Sequence, residues 1–496
     1  MVISKKYLVV FCSDCADEKT VYAKDENGKS LFQLSIKADK SGLPFYLDVE
    51  RLNGKNVFFF CDGKEFTFDG DADSIPPYPE SAERLRPLLH YTAPYGWLND
   101  PNGLIFIEGK YHIFSQHNPL GTSWGNMHWN HCVTTDFISF TPLGDALFPD
   151  DTGTMFSGSA VCDMENVSAL GKNTILLYYT IAQYQTADRQ PEFSQGLAYS
   201  HDYIHFKKYS DNPIVPNIKG ENRDPKVVFV SEMNAYVMAL YLDNNEYCLL
   251  KSENLINWEQ FQVITLDGDA ECPDLYRINN SEKWIFSGAS DCYIVGVFNE
   301  NGFVPEQKTL RFYRELDERH SYAAQSFSNT DSRIIRLSWE NINPENKQCF
   351  CGQLSVPLEM SLFALQDKTL RLKGSLPREI ESKLEPTVKG YFSNIEIDEE
   401  TFVADFSFND DFSVSIDGKA FNISTENNTV SLGNKSIPLS YSGENNLRFI
   451  IDKMSIEILA DSGLIFTCVK ALSDKNQRTL EITNNKVQTT IYKLKE

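Results

Sequence analysis

The chain has 496 residues, too many for one ordinary hydrophobic core, so we expect two or three domains that fold without metal ions or disulfide bonds. Its 69 acidic residues outnumber 46 basic residues and give a formal net charge of −23. This charge disfavours nucleic acid and anionic membrane surfaces as partners and suits a neutral small-molecule or oligosaccharide substrate, although most of it is typical of a solvated surface.

The N-terminal segment shows no recognised export signal. The apolar run from Tyr7 to Cys12 follows Lys5 and Lys6, but it is too short for a signal peptide and lacks a small-residue cleavage site. Eleven irregularly spaced cysteines suit a reducing compartment. Cys12 and Cys15 form an isolated Cys-x-x-Cys pair, whereas a zinc site needs about four ligands. We therefore expect a cytoplasmic protein with no metal ion and no cofactor.

Short runs of β-branched and aromatic residues, separated by turn dipeptides, predict β-strands along nearly the whole chain. Asn27-Gly28 and Asp417-Gly418 are two such dipeptides. Long amphipathic helices are scarce, and no stretch approaches the roughly 20 apolar residues of a membrane helix. The pattern favours an all-β propeller or sandwich over an α/β fold.

Two changes in composition divide the chain. The segment 71–87 is rich in proline and charge, and a second change falls at 361–384. We predict five parts: an N-terminal accessory β domain (1–70), a linker (71–87), a large central β domain (88–360), a second linker (361–384) and a C-terminal β-sandwich (385–496). In the first domain, the run Phe58-Phe59-Phe60 is predicted to be core rather than a carbohydrate platform.

Three acidic residues stand just before proline in strand-like surroundings. Asp100 and Asp224 each precede a proline directly, and Glu271 stands two residues before one. Proline cannot donate to a sheet ladder, so the chain is expected to leave its strand there with the carboxylate at the strand end. Taken alone, an Asp-Pro step more often only starts a turn.

Aromatic and amide side chains lie close to Asp100 in sequence. They fill the segments 97–103, 111–119 and 124–129. Sugars present C–H faces and hydroxyl rims, which aromatic rings, amides and carboxylates bind together. These segments therefore predict a sugar-binding cleft.

Four ordered segments resemble the signature motifs of glycoside hydrolase family 32, which holds invertases, inulinases and levanases. They are WLNDPNG at 97–103, FSGS at 156–159, RDPK at 223–226 and ECPD at 271–274. The resemblance runs from about residue 90 to the C-terminus and leaves residues 1–70 outside it. It implies that the central domain is a catalytic five-bladed β-propeller packed against the C-terminal β-sandwich, with the small N-terminal β domain as an addition.

The resemblance also implies a role for each acid. Asp100 matches the nucleophile, Glu271 the general acid/base, and Asp224 the acid that holds fructose hydroxyls and stabilises the transition state. Such a reaction needs one ionised carboxylate below the anomeric carbon and a protonated one at the leaving oxygen. Six more residues match positions that bind the terminal fructosyl ring: Asn99, Gln116, Trp124, Phe156, Ser157 and Arg223.

Some of these residues have simpler interpretations. Arg223 can serve as a structural ion pair with Asp224, and both roles are compatible. Trp97 and Trp129 fit buried packing as well as sugar contact. Cys272 fits a small buried filler better than a second reactive group.

The sequence thus predicts a retaining glycoside hydrolase that releases terminal fructose from β-D-fructofuranosides by double displacement. Sucrose, fructo-oligosaccharides and inulin- or levan-type fructans are the candidate substrates. Two alternatives stay open: a fructosyltransferase that uses a sugar acceptor, and a non-catalytic carbohydrate-binding propeller protein. Ser115, His117 and Asn130 depart from the family pattern, which leaves the preferred substrate open, phosphorylated sucrose included. The sequence does not predict an oligomeric state.

Overall fold

The computed structural model describes residues 1–185, 192–345 and 347–495. Within these ranges the protein is all-β, as the sequence predicts, with one four-residue α-helix, α1 (Arg378–Glu381). Three short 3₁₀ turns occur at Glu50–Leu52, Glu80–Ala82 and Asp461–Gly463. None of the helices in these ranges has the length and apolar character needed to cross a membrane.

Two sheets build the N-terminal part, with strand orders β4-β1-β7 and β3-β2-β5-β6. Their core includes Phe59, whereas Phe58 and Phe60 lie on the other face and are partly exposed, because successive side chains of a strand alternate between faces. The core prediction for this run therefore holds only for its middle residue. Tyr95 and Leu120, from beyond residue 87, join the same cluster, so this part packs tightly on the rest of the protein. The strands are β1 Tyr7–Cys12, β2 Lys19–Asp25, β3 Ser30–Ile36, β4 Leu43–Asp48, β5 Val57–Cys61, β6 Lys64–Glu65 and β7 Gly70–Ala72.

Five antiparallel sheets follow one another along the central part of the described chain. In each sheet the chain runs outward from its first strand, and β27 joins β8 of the first sheet in parallel. The first sheet holds β8 Gly96–Ile107, β9 Lys110–Asn118, β10 His128–Thr134 and β11 Thr141–Leu147; the second β12 Thr154–Asp163, β13 Thr174–Ala182, β14 Phe193–Ser200 and β15 Lys207–Lys208; the third β16 Arg223–Val230, β17 Ala235–Asp243, β18 Glu246–Ser252 and β19 Glu259–Thr265. The fourth holds β20 Asp274–Arg277, β21 Trp284–Ser287, β22 Cys292–Asn299, β23 Gly302–Pro305 and β24 Leu310–Arg311; the fifth β25 Ser321–Ser326, β26 Ile335–Glu340, β28 Gln353–Leu354, β29 Leu358–Ala364 and β30 Leu370–Ser375; β27 is Phe350–Cys351.

The first strands of the five sheets form a closed series of contacts. Strand β8 contacts β12, β12 contacts β16, β16 contacts β20, β20 contacts β25, and β25 returns to β8. Because these strands surround a common centre, residues far apart in sequence meet at their ends.

The segment 361–384 differs from the linker that its composition suggests. It holds most of β29, all of β30 and the helix α1, and β29 pairs with β26 and β30 with β29. The fifth sheet therefore extends to Ser375, because the leucines of this segment supply strand packing.

The C-terminal part is formed by two six-stranded antiparallel sheets. Their orders are β31-β42-β33-β38-β39-β40 and β32-β41-β34-β35-β36-β37, and one apolar cluster fills the space between them. The strands are β31 Leu384–Tyr391, β32 Asn394–Ile397, β33 Phe402–Ser407, β34 Phe412–Ile416, β35 Lys419–Ser424, β36 Thr429–Leu432, β37 Lys435–Pro438, β38 Asn446–Ile451, β39 Ser455–Ala460, β40 Ile465–Lys470, β41 Arg478–Ile482 and β42 Gln488–Leu494.

A buried ionic cluster joins the central and C-terminal parts. The Nδ1 atom of His90 lies 2.8 Å from Asp452 Oδ2, and its Nε2 atom lies 3.6 Å from Glu457 and 3.9 Å from Glu340. Burial raises the pKa of Glu457, and the nearby Glu340 carboxylate adds to this rise. Burial alone lowers the pKa of His90, but its carboxylate partners outweigh that effect and raise it well above 6.5.

This cluster predicts a loss of stability as the pH rises. Glu457 ionises above about pH 4.5 in the unfolded chain, whereas the folded group keeps its proton to a higher pH. The protonated form of His90 stabilises the folded protein fully below about pH 6.5, and this stabilisation is lost as the pH rises through the raised pKa of the folded group. Both groups therefore lower the free energy of unfolding as the solution becomes alkaline. Glu457→Gln, which mimics the protonated acid, should flatten the fall in Tm measured from pH 6 to 9 and recover about 1 kcal/mol at pH 8. Glu396→Gln, at an exposed position of the same sandwich, is the matched control; equal slopes in both variants would contradict the prediction.

Candidate active site

Four of the five inner strands are irregular where they approach the common centre. A register shift of this kind places an extra residue in one strand and re-aims its side chain. The shifts lie between Leu98 and Pro101 in β8, between Phe156 and Gly158 in β12, between Arg223 and Lys226 in β16, and between Tyr322 and Gln325 in β25. These irregular segments contain Asp100, Ser157 and Asp224, three residues that the sequence singled out.

Two of the three acids have left-handed backbone conformations. Asp224 has φ +65°, and Glu271 has φ +57° with Cys272 at +36° beside it. Such values are uncommon outside glycine and are maintained only when the surroundings determine them. For Asp224, the hydroxyl of Thr180 accepts a 2.9 Å hydrogen bond from the backbone N–H.

The three acids line one cavity of about 730 Å³, a volume within the roughly 300–1,000 Å³ of small-molecule sites. The sulfur of Cys272 lies 3.6 Å from Asp100 Oδ2 and 3.4 Å from Asp224 Oδ2, so one thiol contacts both carboxylates. Residues from positions 100, 224 and 271 thus meet in one place.

Asp100 lies in a setting that both favours and resists its ionisation. Burial raises the pKa of Asp100, and the charge of Glu271 adds to the rise. Hydrogen bonds from Ser157 and Asn99 lower the pKa; the Ser157 hydroxyl donates to Oδ2 over 2.7 Å. The carboxylate is therefore largely removed from water but keeps donors that stabilise its negative charge.

The carboxyl of Asp224 is buried and lies among charged groups. Its pKa is raised to about 7: burial is the largest cause, the charges of Asp100 and Glu271 also raise the pKa, and the charge of Arg223 lowers it. Its Oδ2 atom also accepts a 3.0 Å hydrogen bond from the Cys272 backbone N–H. Perturbed carboxyls that converge in a cavity are typical of functional sites.

Both oxygens of Glu271 accept strong hydrogen bonds. Arg223 donates from its NH2 group to Oε1 over 2.6 Å, and the hydroxyl of Tyr322 donates to Oε2 over 2.6 Å. Arg223 also bonds Glu221, and its Nε atom is 3.9 Å from Asp224, so its shortest contact with the three acids is to Glu271 rather than to Asp224. Sequence reasoning missed Tyr322, which reaches the site because β25 closes the series of inner strands.

All six residues predicted to bind the sugar ring line the same cavity: Asn99, Gln116, Trp124, Phe156, Ser157 and Arg223. Gln116 is 2% exposed, and within the described part of the chain its side-chain oxygen and nitrogen have no hydrogen-bond partner. Trp124 is 58% exposed at the cavity rim, with its indole edge-on to Phe156 at 5.8 Å. A buried amide with free hydrogen-bonding capacity beside an exposed indole suits a sugar.

The residues with two interpretations differ in their positions. Trp129 is fully buried and donates from its indole N–H to the carbonyl of Phe156, so it is a packing residue. Trp97 packs against Trp339 and does not line the cavity. Burial raises the pKa of Cys272 well above its ordinary value, so its thiol stays protonated between the two aspartates.

The three departures from the family pattern lie away from the cavity. Ser115, His117 and Asn130 are buried within the first sheet and are not among the described residues that line the site. The ring of His117 lies 2.9 Å from the carbonyl of Tyr95 and 2.7 Å from Asp145, which makes it part of the packing.

Strands β2 and β3 of the N-terminal part form one wall of the cavity, which sequence reasoning missed. Thr20, Gln33 and Ser35 are among the lining residues. Asn126 fixes this wall, because its side chain accepts from the N–H of Ser35 and donates to the carbonyl of Ser35, each over 2.7 Å.

Comparison with known proteins gives a consistent assignment. The sequence profile of the glycosyl hydrolases family 32 N-terminal domain matches residues 90–373. The chain is 35% identical over 331 residues to a levanase of Bacillus subtilis, covering 60% of this chain and 48% of that protein. It is 31% identical over 312 residues to an invertase of Schizosaccharomyces pombe, covering 56% and 53%; the matched part thus spans about half of each relative. The crystal structure of an exo-inulinase from Aspergillus awamori has a TM-score of 0.71 at 22% identity and covers 83% of this chain and 98% of that one, a likeness of fold.

Proposed function

The chain belongs to glycosyl hydrolase family 32, and from this premise we propose that it hydrolyses β-D-fructofuranosides and releases terminal fructose. The observation that carries the proposal is the meeting of Asp100, Asp224 and Glu271 on one cavity, with aromatic and amide side chains around them. Glycoside hydrolysis needs two carboxyl groups beside one glycosidic bond.

In the proposed reaction Asp100 attacks the anomeric carbon of the fructosyl unit. The bond to the leaving oxygen breaks as Glu271 gives that oxygen a proton, and a fructosyl–Asp100 ester forms. Glu271 then takes a proton from water, whose oxygen displaces Asp100 and releases fructose with the configuration retained. The hydrogen bond from Ser157 keeps Asp100 oriented for attack, and Arg223 and Tyr322 fix the carboxyl of Glu271.

The remaining residues bind the fructosyl ring in this proposal. Asp224 accepts hydrogen bonds from ring hydroxyls, and Gln116 and Asn99 supply amide groups to others. Trp124 and Phe156 contact the C–H faces of the sugar. The five central sheets are, in the same proposal, the blades of a five-bladed β-propeller, since their first strands contact one another in a closed series and residues of four of these strands line the cavity. The same proposal divides the chain into an N-terminal accessory β domain, the propeller and the C-terminal β-sandwich.

Product analysis tests this proposal. The wild type and Asp100→Asn are incubated separately with sucrose, sucrose 6-phosphate, inulin and levan, and the released sugars are identified. Free fructose as the first product, absent with the variant, is expected. Oligosaccharides longer than the substrate at high sucrose would favour fructosyl transfer, and equal, negligible turnover in both proteins would favour a carbohydrate-binding protein.

Arg223 provides a prediction on pH dependence. Its charge lowers the pKa of Asp224, which is about 7 with Arg223 in place because burial and the neighbouring acids raise it. Arg223→Gln removes that charge, so the pKa of Asp224 should rise further. As the pH is lowered, Asp224 should then become protonated at a higher pH than in the wild type. The acidic limb of the kcat/KM profile is expected to move upward by about one pH unit. Arg223→Lys, which keeps a positive charge, should move it less; a higher KM with an unchanged limb would contradict the prediction.

A further inference from the structure

The outer face of the N-terminal sheet extends from the cavity onto the protein surface. In the register of β3, β2 and β5, Gln33 lies opposite Tyr22, and Tyr22 lies opposite Phe60 on its other side. Thr20 lies opposite Ser35 in the same pair of strands. Side chains directly across a sheet share a face, so these five residues form one continuous surface.

This face is distinct from the core face of the same strands. Val21, Ala23, Phe32, Leu34 and Phe59 alternate with the outer residues and are buried. Tyr22 is 43% exposed and Phe60 is partly exposed. The core is already filled without these two rings, so packing does not require aromatic residues at their positions.

One end of the face forms part of the catalytic cavity. Thr20, Gln33 and Ser35 line it together with the three acids. Two hydrogen bonds between Ser35 and Asn126 hold this end, and the N–H of Gln33 donates to the hydroxyl of Tyr184. The sheet is therefore fixed relative to the groups that would break the glycosidic bond.

The other end carries the aromatic side chains. Tyr22, Phe58 and Phe60 line an open depression of about 660 Å³, and Lys24 lies over the ring of Phe60. Neighbouring strands are about 4.8 Å apart, so Gln33, Tyr22 and Phe60 follow one another across roughly 10 Å. Sucrose has one unit beyond its fructosyl ring, whereas this face continues from the cavity wall along β2 and across β5.

We propose that this face binds the chain of a fructan whose terminal unit occupies the catalytic cavity, an inference that rests on the proposed function. Tyr22 and Phe60 contact the C–H faces of successive sugar units, while Gln33 and Thr20 bind hydroxyls near the cavity. A neutral chain suits this face because Asp25 and Glu26 line the same depression and disfavour an anionic ligand. The N-terminal part is thereby a determinant of substrate length.

Steady-state kinetics with matched substrates tests the proposal. The double variant Tyr22→Ala/Phe60→Ala removes both rings without touching a residue of the catalytic cavity. We expect its KM for inulin or levan to rise about tenfold, from the loss of two aromatic contacts, with kcat and the KM for sucrose within twofold of wild type. Tyr391→Ala, which removes an exposed tyrosine from the C-terminal sandwich, is the control and should change neither KM. An unchanged polymer KM, or equal changes for polymer and sucrose, would overturn the proposal.

Affinity electrophoresis separates this inference from the proposed function. Wild type should be retarded in gels that contain inulin or levan but not in gels that contain dextran, and the double variant should lose most of the retardation. A protein that is inert on every fructoside but retarded in this way would refute the proposed hydrolysis and still support fructan binding. Absent or equal retardation of the two proteins would overturn the inference. It would also be overturned if the wild type were a dimer that the double substitution dissociates without changing the retardation by inulin or levan, since the face would then join two copies of the chain.

Discussion

Asp100→Asn is expected to lower kcat on sucrose by at least about a thousandfold, because the covalent route through the fructosyl ester is then closed. The amide is nearly isosteric with the carboxylate, so substrate binding should survive and KM should change much less than kcat. Initial rates of fructose release over a range of sucrose concentrations provide both parameters.

Stability should change in the opposite direction. Burial raises the pKa of Asp100, which means that the ionised carboxylate is costly to keep in the folded protein. Replacing it with a neutral amide should leave Tm unchanged or raise it. Asp410→Asn, at an exposed position of the C-terminal sandwich, is the control for the substitution itself. A variant at position 100 with a markedly lower Tm would attribute the lost activity to misfolding, and one with near-normal kcat would exclude the proposed nucleophile.

The sequence predicted site residues that local motifs mark, but not the residues that reach the cavity only through the packing of distant strands. Proline after Asp100 and Asp224 indicated an irregular backbone, and both acids lie at register shifts. The predicted strand end is wrong for Asp100, because β8 runs from Gly96 to Ile107 and Pro101 itself pairs with Ser115. Asp224 is the second residue of β16. Tyr322 could not be found in this way, because its contact with Glu271 depends on the packing of β25 beside β20, the strand that follows Glu271. The same holds for Gln33, whose place in the cavity wall depends on how two parts of the chain pack.

Local composition also had limits. The segment 361–384 looked like a linker because its leucines lie beside proline and charged residues. However, β29 pairs with β26, a strand that ends at Glu340, and β30 pairs with β29. Strand pairing across a sheet is a long-range property, and a composition window does not contain it. Composition also could not separate the three phenylalanines at 58–60. Phe59 is buried and Phe58 and Phe60 are partly exposed, because successive side chains of β5 point to opposite faces of the sheet.

Glu271→Ala should produce a loss that depends on the leaving group. On sucrose, kcat is expected to fall by about 10² to 10⁴, the usual contribution of a general acid/base. On 4-nitrophenyl β-D-fructofuranoside the first step should be much less affected, because nitrophenolate leaves without a proton. The second step still lacks its base, so a rapid burst of nitrophenol followed by slow turnover is expected.

Azide then separates the two roles of Glu271. It attacks the fructosyl–Asp100 ester without needing deprotonation, so added azide should accelerate the slow phase of Glu271→Ala and yield β-fructofuranosyl azide. Azide should not rescue Asp100→Asn, which forms no ester, and Glu253→Ala, at an exposed glutamate, should behave as wild type with both substrates. Equal losses on sucrose and on the nitrophenyl substrate, with no azide product, would assign the proton transfer to another group. Asp224, which lines the same cavity and whose pKa is raised to about 7, is the acid that would then be substituted next.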